Sequence, residues 1–163
     1  MRALRVLPVR FTPDDHAIMT SAPPLLADFP RRTFEKLRYS DTDRQGHVNN
    51  AVFSTMLETG RVEILCDPAR PLYAEGCAFV IASLHLDFLA EVNWPGQVDI
   101  GTRVDAIGRS SFTIGQAVFQ NGVCVATART VIVQMNEATR RSQPLSEESL
   151  RHLDELKTAA GAR

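Results

Sequence analysis

The chain has 163 residues, 44% of them hydrophobic and 23% charged, with a net charge of −1 at pH 7. That length suits one domain with its own core, and the near-neutral balance supplies no basic field for nucleic acid or an anionic membrane surface. The three cysteines (Cys66, Cys77, Cys124) are odd in number and lack metal-ligand spacing, so they read as reduced thiols of a cytoplasmic protein.

Residues 1–30 read as a poorly ordered leader, rich in proline (Pro8, Pro13, Pro23, Pro24, Pro30). Arg10 and Asp14-Asp15 interrupt its apolar opening, which argues against a secretory signal, and residues 2–18 are expected to be dispensable. No apolar run approaches the roughly 18 residues of a membrane span.

Residues 31–140 read as the folded domain. Thr33 to Tyr39 alternates apolar and polar residues, the mark of a half-buried strand. A polar loop, Ser40 to His47, leads into a helix from about Asn49 to Cys66. Asn49 suits the N-cap, and Val48 with Phe53 suits a hydrophobic staple. Phe53, Met56, Leu57, Gly60 and Ile64 recur at helical spacing; Gly60 within that face calls for close packing against another backbone. Arg61 reads as an i,i+3 partner of Glu58.

From Phe79 to Val92 the alternation continues, with Val80, Ala82, Leu84, Leu86, Phe88, Ala90 and Val92 on one face and Ser83, His85, Asp87 and Glu91 on the other. Val98 to Ala106, Phe112 to Phe119 and Val123 to Met135 follow as strands, the last two joined by Asn121-Gly122, a strong hairpin signal. Residues 141–163 read as a helical tail capped by Ser146, with Leu150, Leu153 and Leu156 as its apolar stripe. The expected architecture is α+β, a five-stranded antiparallel sheet wrapped around one long helix, with an extra helix at the C-terminal end.

The loop before the long helix concentrates polar chemistry. An Asn49 side chain that caps Ala51 or Val52 leaves the Asn50 amide free at the positive helix end, able to hold an oxygen as it gains charge. Asp41 and Asp43 suit loop-amide acceptors, as in Asx turns. Gly46 permits either a close substrate approach or a plain turn. No Gly-rich nucleotide loop, zinc spacing or Gly-x-Ser-x-Gly elbow occurs, so neither metal nor cofactor is expected.

Residues 39–61, Tyr-Ser-Asp-Thr-Asp-Arg-Gln-Gly-His-Val-Asn-Asn-Ala-Val-Phe-Ser-Thr-Met-Leu-Glu-Thr-Gly-Arg, resemble the 4-hydroxybenzoyl-CoA thioesterase family of hot-dog proteins. That family's loop runs Asp-x-Asp-x-x-Gly-x-Val into the central helix. The His-Val-Asn-Asn version is also similar to that of plant acyl-carrier-protein thioesterases. The resemblance, with leader and tail outside it, implies an acyl-CoA thioesterase with Asp43 as catalytic carboxylate, Asp41 as loop support and the Asn50 amide as oxyanion donor. His47 and Gln45 match active-site positions of the carrier-protein branch. Another hot-dog branch uses a helix carboxylate, which makes Glu58 a rival. Arg109-Ser110-Ser111, a turn of planar donors and hydroxyls, is the candidate for CoA phosphates. An acyl-thioester hydratase or dehydratase and a non-catalytic acyl-CoA binder stay open as alternatives. The unprotected strand after residue 78 predicts a homodimer through sheet edges. Outer-face residues such as Arg103 and Thr113 leave room for a dimer of dimers.

Overall fold

The computed structural model describes residues 22–70 and 72–157. Seven main elements follow in chain order: β1 (Arg31–Lys36), α1 (Asn50–Leu65), β2 (Cys77–Phe88), β3 (Gln97–Ile107), β4 (Ser111–Gln120), β5 (Val123–Asn136) and α2 (Glu147–Glu155). The strands form one antiparallel sheet in the order β1-β3-β4-β5-β2, with α1 lying across its concave face. This is the expected hot-dog arrangement with its extra C-terminal helix.

Local chemistry explains the elements. Asn49 caps α1 by accepting a hydrogen bond from the Ala51 amide at 2.9 Å, and Phe53, Met56, Leu57, Gly60 and Ile64 all turn inward. They meet Ile100, Val118 and Ala126 of the sheet in one apolar cluster and Val104, Phe112 and Ile132 in a second. Asn121 (φ 52°) and Gly122 (φ 78°) are both left-handed, as a two-residue hairpin turn demands. β4 lies at the centre of the sheet and is buried on both faces.

Four expectations change. The leader was expected to stay loose to about residue 30, but Leu26–Asp28 forms a 3-10 turn. Phe29 is buried against Ala117 and Phe119 on the outer face of the sheet, with the Arg103 guanidinium over its ring. The expectation for residues 1–21 lies outside the described residues. The tail helix is part of the core, since Leu153 and Leu156 join the second cluster and the Leu156 carbonyl accepts from the Val104 amide at 2.9 Å. Leu150, expected in its stripe, is exposed.

The third change concerns β2, which ends at Phe88. A bulge between Ile81 and Ser83 shifts its alternation by one residue. Ile81 pairs with Ile132, and Leu84, Leu86 and Phe88 pair with Thr130, Ala128 and Ala126, so these four face inward while Val80 and Ala82 do not continue that face. The fourth concerns Gly60: it makes room for side chains, not backbone. A Cβ there would stand 2.7 Å from Thr102 Oγ1 and 2.9 Å from Gln116 Nε2.

Candidate active site

The loop between β1 and α1 is stitched shut by its own backbone. Asp43 N–H donates to the His47 carbonyl at 2.8 Å, Gly46 N–H to the Asp43 carbonyl at 3.1 Å, and Asn49 N–H to the Asp41 carbonyl at 2.8 Å. Gly46 has φ +87° with open space around it, so glycine is needed here for its left-handed backbone. The segment after β2 fastens the loop to the sheet: Val48 N–H donates to the Val92 carbonyl at 2.8 Å, and His47 bridges to Asn93.

The two aspartates of this loop part company. Asp41 is 5% exposed and accepts from the Arg38 amide (2.8 Å) and Arg38 Nε (3.1 Å). Burial pushes its carboxyl up, but the Arg38 amide, the Arg38 side-chain bond and its charge together outweigh burial and hold it below the ordinary 3.8. A folded-state value below the unfolded one stabilises the fold at higher pH and is lost as pH falls through the folded value. The melting-temperature gap between wild type and Asp41→Asn should therefore be constant above about pH 5 and shrink as pH falls past 3.8. A gap that widens in acid would reverse this sign.

Asp43 is exposed. Its Oδ1 accepts from the Gln45 amide at 2.7 Å, an Asx-type turn, and its Oδ2 has no partner among the described residues. It lines a cavity of about 470 Å³ with Gln45, His47 and Asn50 from the loop and helix start; Phe53, Phe88 and Glu91 form the facing wall. The Asn50 amide, at the first position of α1, has no hydrogen-bond partner among the described residues, because the Asn49 cap is spent on Ala51. Four residues singled out from sequence (Asp43, Gln45, His47 and Asn50) thus meet in one cavity, with Gly46 shaping the turn between them.

Glu91 is the site residue that sequence reasoning missed. Its Oε2 lies 3.2 Å from His47 Nε2, so the His47 ring has a carboxylate to set its orientation. Alternation assigned Glu91 only a polar strand face; the His47–Asn93 bridge that brings it here is a long-range contact with no local signature. Glu58 does not line the cavity and is exposed. Its expected partner Arg61 turns inward instead: among the described residues no ion pair joins them, and Arg61 donates to Gln116 Oε1 at 3.2 Å. Burial lowers the Arg61 pKa, with the Glu58 charge opposing. His85 and Asp87 form an exposed pair at 3.3 Å on the outer face, away from this cavity.

The turn Arg109-Ser110-Ser111 lies elsewhere. It joins β3 and β4 at the end remote from Gly96, which accepts from the Leu37 amide beside the loop. The 11 residues of β3 span about 35 Å, so the expected phosphate turn and Asp43 of one chain do not share a cavity. A second, open depression of about 570 Å³ beside α2 is lined largely by charged side chains, among them Arg151, Asp154 and Lys157. Among the described residues no cluster of metal-ligating side chains occurs, and no helix is long and apolar enough to cross a membrane.

A five-stranded antiparallel sheet wrapped about one long helix is the hot-dog fold. The chain belongs to the thioesterase-like superfamily, whose family model matches residues 37–153. The match takes in most of α2, so it reaches beyond the boundary expected from the loop motif. Among solved structures, the chain is similar to a Pseudomonas aeruginosa protein at 25% identity, covering 85% of this chain and 99% of that one with a TM-score of 0.74. It is also similar to a Thermus thermophilus thioesterase complexed with coenzyme A and Zn (28% identity, 80% and 96% covered, TM-score 0.68). A predicted thioesterase of Bacillus stearothermophilus shows the same likeness (28% identity, 80% and 98% covered, TM-score 0.70). The comparison with curated proteins finds no match.

Proposed function

We propose that the protein is an acyl-CoA thioesterase of the 4-hydroxybenzoyl-CoA type, hydrolysing a thioester to a free acid and CoA. The observation that carries this reading is the Asp43 carboxylate, with one oxygen free, in the same cavity as the unbonded Asn50 amide. Asp43 either deprotonates a water that attacks the thioester carbonyl, the C–S bond then breaking to release the CoA thiolate, or attacks the carbonyl directly and expels that thiolate. In the second case water then cleaves the resulting anhydride to the acid and regenerates Asp43. The proton from water ends on the thiolate or in solvent. In both routes the carbonyl oxygen gains charge and the Asn50 amide, at the positive end of α1, holds it. His47, oriented by Glu91, positions the water or the thioester. CoA bound in the Thermus relative supports CoA as the leaving group. The free cysteines, two of them buried, suit a reducing cytoplasm.

The proposal includes a homodimer. β2 is an edge strand with its outer backbone unpaired among the described residues, and Ile81, Phe88 and Leu89 beside it are exposed; such an edge invites a second copy. A two-fold antiparallel pairing sets the Phe88 end of one β2 beside the Cys77 end of the other. Cys77 pairs with Asn136, and Gln134 nearby donates to the Ser110 carbonyl, so the Arg109–Ser111 turn of a second copy approaches the Asp43 cavity from that end. This supports a CoA phosphate site built across the dimer. Light scattering at micromolar concentration should show a species of at least twice the 18.0 kDa chain mass; a fully active monomer would end the shared-site account.

A thiol reagent and an acyl-CoA panel test the activity itself. Thiol release marks hydrolysis. A change in enoyl absorbance without thiol would mark a hydratase, and binding without either would mark a carrier of acyl-CoA.

A further inference from the structure

We infer that the facing rings of Phe53 and Phe88 close the apolar end of the active-site cavity, and that Phe88 thereby limits the acyl group to short chains. This rests on the thioesterase reading and extends it to the substrate class.

The lining of the cavity divides by chemistry. Asp43, Gln45, His47, Asn50 and Glu91 are polar, whereas Phe53, Phe88, Leu89 and Val92 are apolar. A thioester carries the same division. Its carbonyl belongs beside Asp43 and the Asn50 amide, so its hydrocarbon belongs against the aromatic wall. Phe53 stands three residues beyond Asn50 on α1, about 4.5 Å along the helix axis. Helical side chains lean back over the preceding turn, which brings the Phe53 ring over the turn that Asn50 begins. A chain running along this wall from a carbonyl at Asn50 meets the ring within the reach of about three or four carbon–carbon bonds.

The rings make a stop because one is fixed and the other rests on it. Phe53 is 2% exposed and shares a core cluster with Met56, Leu57 and Ala126, all of them closed to solvent, so the space behind it is filled. Phe88 is the last residue of β2 and pairs with Ala126. The next two amides, Leu89 and Ala90, both donate to the Val125 carbonyl, at 2.8 and 3.1 Å, which pins the backbone at that point. The Phe88 ring meets Phe53 edge to face, with centroids 5.1 Å apart, yet Phe88 remains 47% exposed. Shortening Phe88 therefore opens the end of the cavity and leaves the interior packed. Shortening Phe53 would instead hollow the core.

Calorimetric titration with two non-hydrolysable CoA thioethers reads the limit without requiring turnover. S-(2-oxopentyl)-CoA and S-(2-oxononyl)-CoA keep a carbonyl for the Asn50 amide and present the chains of a butanoyl and an octanoyl group. Each methylene newly buried strengthens binding about fourfold. The wild type should bind the longer ligand no more than about twofold more tightly than the shorter, because its extra methylenes meet the rings and stay in water. Phe88→Ala, compared at equal mass by light scattering, should favour the longer ligand at least about tenfold, the effect of burying two methylenes. If Phe88→Ala does not fold, Phe88→Leu should favour it about fourfold. A wild type that already prefers the longer ligand by about tenfold, or that binds neither, overturns the inference. So does a folded Phe88 variant whose ratio equals that of the wild type. Absence of thiol release from every acyl-CoA would sink hydrolysis and leave these ratios to decide the stop.

Discussion

Asp43→Asn should fold and assemble normally while losing at least about a hundredfold in kcat, the scale of removing a general base or nucleophile. The amide keeps an oxygen for the Gln45 N–H that Asp43 Oδ1 now binds at 2.7 Å, so the turn survives. What disappears is the negative charge and lone-pair basicity of the free oxygen, which both chemical routes need. Asp43 is exposed, so its replacement leaves no cavity and no buried unpaired group, and melting temperature should move little. Glu58→Gln is the matched control: Glu58 is also exposed but lies outside the cavity, so turnover should stay near that of the wild type. A dead Glu58→Gln beside an active Asp43→Asn would move the catalytic carboxylate onto the helix.

Gly60→Ala should be the most damaging single methyl on the helix. Its Cβ would press on Thr102 Oγ1 at 2.7 Å, Gln116 Nε2 at 2.9 Å and Ile100 Cγ2 at 3.0 Å. Gln116 cannot swing clear cheaply, because its amide nitrogen holds the Leu57 carbonyl and Thr102 while its oxygen holds Arg61. Overpacking costs about 1–3 kcal/mol, and breaking a buried hydrogen bond adds about 1–3 kcal/mol. The better helix propensity of alanine returns only about 1 kcal/mol. The net, roughly 1–5 kcal/mol, corresponds to a fall in Tm of about 2–20 °C for a chain of this size. Calorimetric or fluorescence melting reads this directly; an unchanged Tm would mean the helix can lift off the sheet at no cost.

The parts of this molecule legible in the sequence are those whose signals are local. The Asn49 cap, the staple-like Val48 and Phe53 and the apolar spacing of α1 all report on one another within a few turns, and Asn121-Gly122 specifies its own backbone. The loop from Asp41 to Asn50 was legible for the same reason: its turn glycine and helix start fall in register. The bulge at Ala82 was not legible, because alternation reads straight through a one-residue slip. Arg61 looked like the surface partner of Glu58, since only the sheet reveals Gln116 waiting inside. Phe29 and Glu91 depend on contacts with residues far along the chain, Phe119 and His47. The Arg109 turn satisfied a composition argument, and only strand topology shows which end of the sheet it occupies.

The most direct measurement of the central claim is product stoichiometry. Purified protein incubated with a mixed set of acyl-CoAs, aliphatic and aromatic, is sampled by mass spectrometry for free acid and CoA. The account predicts equal amounts of both from at least one member, appearing catalytically with the wild type and suppressed at least about a hundredfold with Asp43→Asn. Intact acyl-CoA after many hours with folded, dimeric protein, or equal turnover by the two proteins, would contradict it.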